Sequence, residues 1–112
     1  MQAFIQKGII NSDQLKQLLE EKDTKNFALI DVREEGEYAM SYIKGVDALK
    51  PMSSMKEWED TLFEETKDKV VIFTCHTGSR SGDIQKIFQK KGHQAALNHV
   101  GGIASYRGEL SS

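Results

Sequence analysis

The sequence is poor in cysteine and in long apolar runs. Cys75 is the only cysteine among 112 residues, so the chain can form neither an internal disulfide nor a Cys-x-x-Cys redox pair. The apolar run at residues 70–73 is far too short to cross a bilayer. No signal peptide is visible at residues 1–7, so we expect a cytoplasmic protein that does not enter a membrane. Whatever chemistry Cys75 performs, it performs as a lone thiol or with a thiol from a partner.

The chain also lacks an excess of positive charge. Lys and Arg number 15 against 17 Asp and Glu, which gives a formal net charge of -2. Because phosphate binding usually requires a basic surplus, we expect no nucleic-acid partner. A chain of 112 residues with 38% hydrophobic residues is suited to one packed domain, which we place at residues 1–112. The three histidines, His76, His93 and His99, show no metal-ligand spacing, and we predict no metal and no cofactor.

Short apolar segments alternate with amphipathic ones along the chain. Strands are predicted at residues 27–32, 46–49, 70–74 and 95–97. Helices are predicted at residues 13–22, 37–43, from 53 or 54 onward, 79–91, and in a short segment between 101 and 106. Ser12 is the predicted N-cap of the first helix, and Gly92 is expected to end the helix at 79–91. This alternation favours an α/β fold with a mainly parallel central sheet and helices on both faces.

Cys75 begins a short polar loop between a predicted strand and a predicted helix, where the ligand crevice of such sheets lies. Gly78 can adopt the backbone angles of a tight loop, and inward-pointing N–H groups would form an anion nest. The positive end of the following helix and the charge of Arg80 would reinforce it. Such surroundings favour a thiolate and would also hold an anionic persulfide, so one site could both accept sulfur and pass it on.

Less specific interpretations exist for each of these residues. A lone cysteine after a buried strand is most often an inert core residue, although the adjacent Gly78 and Arg80 argue against that interpretation here. His76 and Arg80 could each be an ordinary surface cation.

Four segments, in order along the chain, resemble the signature motifs of the rhodanese homology domain. They are residues 29–34 with the acidic and aromatic pair at 37–38, residues 42–46, residues 70–81 and residues 98–106. The resemblance implies a rhodanese-like fold with Cys75 as the sulfur-carrying nucleophile. It also implies that the substrate is bound by the loop residues that follow, namely His76, Thr77, Gly78, Ser79 and Arg80. Asp31 and Arg33 match the family's Asp-x-Arg pair, which implies a mainly structural role near the site.

The sequence departs from the pattern of this family at three positions. Tyr42 stands where the family commonly has His, Ser41 where it has Gly, and Tyr106 where it usually has Trp. These departures concern the packing near the site and the acceptor, and they leave the nucleophile in place.

The resemblance implies a rhodanese-type sulfurtransferase that moves sulfane sulfur through a Cys75 persulfide. The expected donor is a small sulfur-containing anion such as thiosulfate or polysulfide, or a protein persulfide. The expected acceptor is cyanide, a small thiol or a protein thiol. The alternative is a non-catalytic or carrier-type protein-interaction module, which the intact Cys75, Gly78 and Arg80 disfavour.

A Cys-dependent phosphatase or arsenate reductase is a further alternative. Those enzymes use a Cys-x5-Arg loop, because a tetrahedral oxyanion needs a wide ring of donors. Cys75 to Arg80 is a shorter Cys-x4-Arg loop, which should favour a single sulfur atom.

Overall fold

A five-stranded sheet positions the residues of interest. The structure is a computed structural model that describes residues 2–21 and 26–112. The strands of the sheet are β1 (Ile9–Ile10), β2 (Phe27–Asp31), β4 (Ala48–Leu49), β5 (Val70–Thr74) and β6 (Ala96–His99). Their order is β1-β6-β5-β2-β4, and every pairing is parallel. All five residues of the central strand β5 are buried, as expected for an apolar strand that is covered on both faces.

Helices cover both faces of this sheet. They are α1 (Gln2–Lys7), α2 (Ser12–Glu20), α3 (Glu35–Met40), α4 (Met55–Thr66) and α5 (Ser79–Lys90), with single 3-10 turns at Met52–Ser54 and Ile103–Ser105. Alternate residues of β5 belong to two separate cores, because successive strand side chains point to opposite faces. Phe73 packs in a core with α4 and α5, whereas Ile72 packs in a core with Leu15 of α2. The predicted α/β fold with a mainly parallel sheet is confirmed.

The N-cap of α2 differs from the prediction. The cap is Asn11, whose Oδ1 accepts a hydrogen bond from the Gln14 amide (2.8 Å), while Gln14 Oε1 accepts one from the Asn11 amide (2.9 Å). This reciprocal pair is a capping box. Ser12 was therefore wrongly assigned as the cap. Its hydroxyl lies inside the molecule instead, 2.8 Å from His99 Nε2. Residue 22, the predicted end of this helix, lies outside the described residues.

The predicted helix at 37–43 is wrong at both ends. Helix α3 begins at Glu35 and ends at Met40, after which Ser41 is fully extended (φ -172°). Tyr42–Ile43 then forms a strand, β3, which pairs antiparallel with β7 (Leu110–Ser111). This two-stranded sheet joins the middle of the chain to its C-terminal segment. Local periodicity cannot reveal a partner that lies so far along the chain.

The remaining boundaries lie close to the predicted ones. The strand predicted at 46–49 is limited to Ala48–Leu49, and the one predicted at 95–97 runs from Ala96 to His99. Helix α4 begins at Met55, and α5 ends at Lys90, two residues before Gly92. The elements α1 and β1 were not predicted. Within the described ranges, no helix combines the length and apolar character that crossing a membrane requires.

Candidate active site

Cys75 lies directly after β5, the central strand, so its backbone is held at the carboxyl edge of the sheet. Gly78 turns the chain from this strand into α5 with a φ of 100°, a left-handed conformation that favours glycine. A Cβ at Gly78 would also lie only 3.2 Å from the Gly101 amide nitrogen. The tight loop predicted around Gly78 therefore requires glycine both for its backbone angles and for its close packing.

The sulfur of Cys75 is buried and surrounded by hydrogen-bond donors. Cys75 is 1% exposed, and its Sγ accepts hydrogen bonds from the Gly78 amide (3.2 Å), the Ser81 amide (3.4 Å) and the Ser81 hydroxyl (3.3 Å). Burial by itself raises the pKa of the thiol. The hydrogen bonds from the Ser81 side chain and from the amides of Ser81, Gly78 and Thr77 outweigh burial, so that the pKa lies below its ordinary value. The arrangement thus favours a thiolate.

Ser81 also connects the sulfur to strand β6. Its Oγ lies 2.6 Å from Oδ1 of Asn98, and the Asn98 side-chain amide donates to the Gly78 carbonyl oxygen (3.0 Å). A serine hydroxyl has one hydrogen, so it cannot donate to Asn98 and to the Cys75 sulfur at the same time. Ser81 is therefore the group whose orientation responds to the charge of the sulfur.

Arg80 lies in the loop, but its guanidinium is bound by a carboxylate from α3. Its two terminal nitrogens donate to the two oxygens of Glu37, at 2.7 Å and 2.9 Å. The hydrogen bond from Arg80 lowers the pKa of Glu37 to about 2 against the opposing effect of burial. The pKa of Arg80 is raised, chiefly by its hydrogen bonds to Glu37, which outweigh burial, with contributions from the charges of Cys75 and Glu34. The hydrogen bonds that hold the sulfur come from Gly78 and Ser81 rather than from Arg80.

The buried Asp31–Arg33 ion pair connects the end of β2 to the end of α3. Asp31 is 0% and Arg33 4% exposed, and Nε and Nη2 of Arg33 both donate to the Asp31 carboxylate, at distances between 2.9 Å and 3.1 Å. Nη2 of Arg33 also donates to the carbonyl oxygen of Ser41, immediately after α3 (2.7 Å). The pair thus joins the end of β2 to the helix that carries Glu37. The structural role that the resemblance implies for Asp31 and Arg33 stays a prediction.

The other loop residues, His76, Thr77 and Ser79, have exposed side chains, and the amide of Thr77 is among the groups that lower the pKa of Cys75. The amides of Ser79 and Arg80 belong to the first turn of α5, where a helix provides no backbone acceptor. Two more amides, those of Ile103 and Ala104, donate to the carbonyl oxygens of Cys75 and His76, both at 2.9 Å. The segment after β6 therefore packs directly against the loop, where a Cβ at Gly102 would overlap the same carbonyl groups.

A buried polar chain lies behind the loop. Thr74 Oγ1 is 2.8 Å from His99 Nδ1, His99 Nε2 is 2.8 Å from Ser12 Oγ, and Ser12 Oγ is 2.6 Å from Ser105 Oγ. His99 is 0% exposed, and burial lowers its pKa to about 4, so the imidazole is neutral at ordinary pH. The ring of Tyr106 packs edge-on against it, with the ring centroids 6.1 Å apart.

The unusual Tyr42 has a packing role of its own. Its ring stacks on the ring of Tyr38 with a centroid distance of 4.4 Å and an interplanar angle of 9°. The stack connects α3 to β3.

Three residues of this arrangement were not predicted as site residues: Glu37, Ser81 and Asn98. Glu37 and Ser81 stand within the recognised motifs, at positions where an acidic side chain and a hydroxyl follow the aspartate and the arginine. Asn98 begins the recognised motif at residues 98–106, but its contacts with Ser81 and Gly78 depend on how β6 pairs with β5. Among the residues that the structure describes, no cluster of three or more His, Cys, Asp or Glu could hold a metal ion.

Comparisons with known proteins agree with the geometry. The profile of the family described as "Rhodanese-like domain" matches residues 11–109. A Bacillus subtilis protein named "Putative sulfurtransferase YtwF" is 35% identical over 81 residues, which cover 72% of this chain and 74% of that protein. The crystal structure of a rhodanese-like domain protein from Staphylococcus aureus has a TM-score of 0.74 and 29% identity, and the match covers 91% of this chain and 94% of that one.

A Rhodopseudomonas palustris protein described as a "Possible Tyrosine Phosphatase" has a TM-score of 0.77, with 98% of this chain and 92% of that one covered. At 19% identity this likeness shows the fold alone. The profile match and the relative at 35% identity, by contrast, establish the family. The chain belongs to the rhodanese-like domain family.

Proposed function

We propose that the protein is a sulfurtransferase that carries sulfur as a persulfide on Cys75. The observation that carries this proposal is the convergence of three hydrogen-bond donors, from Gly78 and Ser81, on a sulfur that is only 1% exposed. An inert core cysteine has no need of such donors, and they lower the thiol pKa in spite of burial. The thiolate is the reactive form of cysteine.

The reaction consists of two displacements at sulfur. The Cys75 thiolate attacks the outer sulfur of the donor, so that a bond forms between Sγ and that sulfur while the sulfur's bond to the rest of the donor breaks. The electron pair of the broken bond leaves with the donor remnant, which is sulfite from thiosulfate or a thiolate from a persulfide. In the second step, cyanide or a thiolate attacks the outer sulfur and forms a bond to it, while the bond between that sulfur and Sγ breaks and its electron pair stays on Sγ. No external oxidant or reductant is required, and the cysteine is regenerated.

The loop is suited to hold the intermediate as well as the resting thiolate. The outer sulfur of a persulfide carries the negative charge one bond further out. The amides of Ser79 and Arg80, at the positive end of α5, are available in the first turn of that helix. Donor and acceptor can both be small molecules or both be proteins, so a carrier role in a protein relay uses the same chemistry.

Phosphatase or arsenate reductase activity is less compatible with this geometry. In such a site the arginine must offer both terminal nitrogens to the oxyanion. Here both nitrogens of Arg80 are bound to Glu37, at 2.7 Å and 2.9 Å, and a phosphate dianion would have to compete with that carboxylate. The contacts of Arg80 and the short Cys-x4-Arg loop argue in the same direction.

Intact mass spectrometry tests the proposal directly. Incubation with thiosulfate, with polysulfide or with a cysteine desulfurase and its substrate should add the mass of one sulfur atom, which cyanide should then remove as thiocyanate. Because Cys75 is the only cysteine, the added sulfur has one possible site. Cys75→Ser should fold and melt like the parent but gain no sulfur and form no thiocyanate. If no donor adds sulfur while an aryl phosphate is hydrolysed, the protein is a phosphatase and the proposal is wrong.

A further inference from the structure

The loop that holds Cys75 contains one permanently charged cation, Arg80, and that cation is already paired. Glu37 occupies both terminal nitrogens of its guanidinium in a bidentate ion pair. The pKa of Glu37 is about 2, so its carboxylate remains charged at any pH at which the thiolate exists. A donor that approaches Cys75 therefore meets a guanidinium whose charge is paired with a carboxylate and whose two terminal nitrogens are both bound to that carboxylate.

The charges linked to this pair add up to an excess of negative charge. Three carboxylates, Asp31, Glu34 and Glu37, stand against two guanidiniums, Arg33 and Arg80. The ion pairs are Asp31–Arg33 and Glu37–Arg80; the charge of Arg33 acts on Glu37, and the charge of Glu34 acts on Arg80. The Cys75 thiolate adds one more negative charge. This excess of negative charge repels a donor that carries two negative charges, and it repels a donor that carries one negative charge about half as strongly.

We propose that Glu37 is a specificity-determining residue for the sulfur donor: by binding Arg80, it directs the site towards monoanionic organic persulfides and away from dianions such as thiosulfate. This inference rests on the proposed sulfur transfer. The amides around the loop can bind the single anionic sulfur of a persulfide without a free cation. Thiosulfate, with its sulfonate group, would need the guanidinium that Glu37 holds.

The side chains involved are accessible enough for such a role. The Arg80 and Glu37 side chains are 32% and 37% exposed, so the pair lies at the surface, where donors arrive, and not in the interior. Glu37 also accepts the Glu34 amide at the start of α3, which fixes the carboxylate in place. The pair is thus partly exposed and is held in place by a backbone hydrogen bond.

The test compares two donors, thiosulfate and the persulfide of 2-mercaptoethanol, in the parent and in Glu37→Gln. Glutamine retains an oxygen for the Glu34 amide but lacks the charge, so Arg80 is left with a net positive charge. We expect the parent to have a higher kcat/KM for the persulfide than for thiosulfate. In Glu37→Gln, kcat/KM for thiosulfate should rise about tenfold, mainly through KM, which corresponds to ~1.4 kcal/mol. The rise for the persulfide should be about threefold, because its charge is half as large.

Added salt gives a second readout that a merely structural change would not produce. In the parent, kcat/KM for thiosulfate should increase with ionic strength, because salt screens repulsion. In Glu37→Gln the same increase should be smaller, because the variant has one negative charge fewer and salt screens a weaker repulsion. Glu37→Asp retains the carboxylate and should behave like the parent in the size of this dependence.

Glu35→Gln is the matched control. This substitution removes one negative charge from the exposed first turn of the same helix. Among the described residues, the Glu35 side chain forms no hydrogen bond or ion pair with Arg80. An equal change of donor preference in Glu35→Gln and Glu37→Gln would overturn the inference, as would a parent enzyme that prefers thiosulfate. If neither donor adds sulfur to Cys75 in the parent, the proposed function itself fails. A parent that accepts sulfur only from a desulfurase-bound persulfide would restrict the donor class to protein persulfides.

Discussion

At the scale of single residues, the orientation of the Ser81 hydroxyl depends on the charge of the Cys75 sulfur. In the thiol form, Ser81 can direct its hydrogen to Asn98 Oδ1, 2.6 Å away, and the nearby Cys75 sulfur needs no donor. When the sulfur is ionised it becomes a charged acceptor 3.3 Å from the same hydroxyl. Hydrogen bonds to charged acceptors are about twice as strong as neutral ones. We therefore expect the hydrogen to turn from Asn98 to the sulfur on ionisation.

Ser81→Ala should accordingly raise the pKa of Cys75. The expected shift is about one unit, the scale of a lost hydrogen bond to the charged form. The pH dependence of alkylation by a neutral reagent measures it, because a neutral reagent does not respond to charges during binding. Ser79→Ala, which removes an exposed hydroxyl from the same helical turn, is the control and should leave the midpoint in place. An unchanged midpoint in Ser81→Ala would mean that the backbone amides alone stabilise the thiolate.

The residues of the loop could be predicted in part from sequence. Cys75, Gly78 and Arg80 stand within six positions of one another, so their proximity follows from the chain itself. The partner of Arg80 could not be predicted, because many carboxylates are candidates and only the fold brings Glu37 to it. Ser12 was wrongly assigned because a local signal was missed. Asn11 and Ser12 are both favourable cap residues, but only Asn11 is followed three residues later by a glutamine, Gln14, which completes a capping box.

At the scale of elements, the end of β2 and the helix α3 depend on one buried ion pair. The Asp31 carboxylate has no solvent exposure and is bound by the amide of Arg33 and by its guanidinium. Arg33 in turn holds the chain at Ser41, where α3 gives way to β3. If one partner is neutralised, a charge remains buried without compensation.

Asp31→Asn should lower the free energy of unfolding by roughly 3–5 kcal/mol. Chemical denaturation measures this loss, and the sulfur-transfer rate per folded molecule should change much less. The exposed Lys44–Glu109 pair provides the comparison, because Glu109→Gln breaks an ion pair of similar length at the surface. A variant that unfolds like the parent but no longer accepts sulfur would assign Asp31 to the catalytic machinery.

Strands and helices could be predicted from the sequence where the local residue pattern is distinctive. The strand Val70–Thr74 was predicted with its observed limits, because an uninterrupted β-branched and apolar run needs no partner to be recognised. The strand Tyr42–Ile43 was missed, because two residues carry no periodicity and its partner is close to the C-terminus. The elements α1 and β1 are likewise too short for a reliable pattern, and β1 exists through its pairing with β6.

At the scale of the whole molecule, buried histidine links stability to pH. Burial lowers the pKa of His99 from 6.5 to about 4, and it also lowers that of His93. An unfolded chain therefore binds protons between these pH values that the folded chain does not bind. Stability is fully present above pH 6.5 and is lost as the pH falls towards 4, by about 3 kcal/mol for His99.

His99→Gln should reduce this dependence. The slope of the unfolding free energy against pH should fall by about 1.4 kcal/mol per pH unit in the window between 6.5 and 4. Glutamine can still bond to the hydroxyls of Thr74 and Ser12, but it does not titrate. His76→Gln, at an exposed loop position, is the matched control for the exchange of a histidine for a glutamine. A slope that is the same in His99→Gln and in the parent would show that other groups govern acid unfolding.

Strand β6 and the segment after it hold the peptide units of the loop that carries Cys75. In a trans peptide unit, the C=O of one residue and the N–H of the next are antiparallel. The Ala104 amide binds the His76 carbonyl oxygen and so fixes the peptide unit that contains the Thr77 N–H, one of the groups that lower the pKa of Cys75. The Asn98 side chain fixes a second peptide unit of the loop through the Gly78 carbonyl oxygen. The peptide dipoles around Cys75 are therefore oriented in part by β6 and the residues that follow it. A rotation of the peptide plane between His76 and Thr77 would replace a hydrogen-bond donor by a carbonyl oxygen and weaken the attraction of the site for anions.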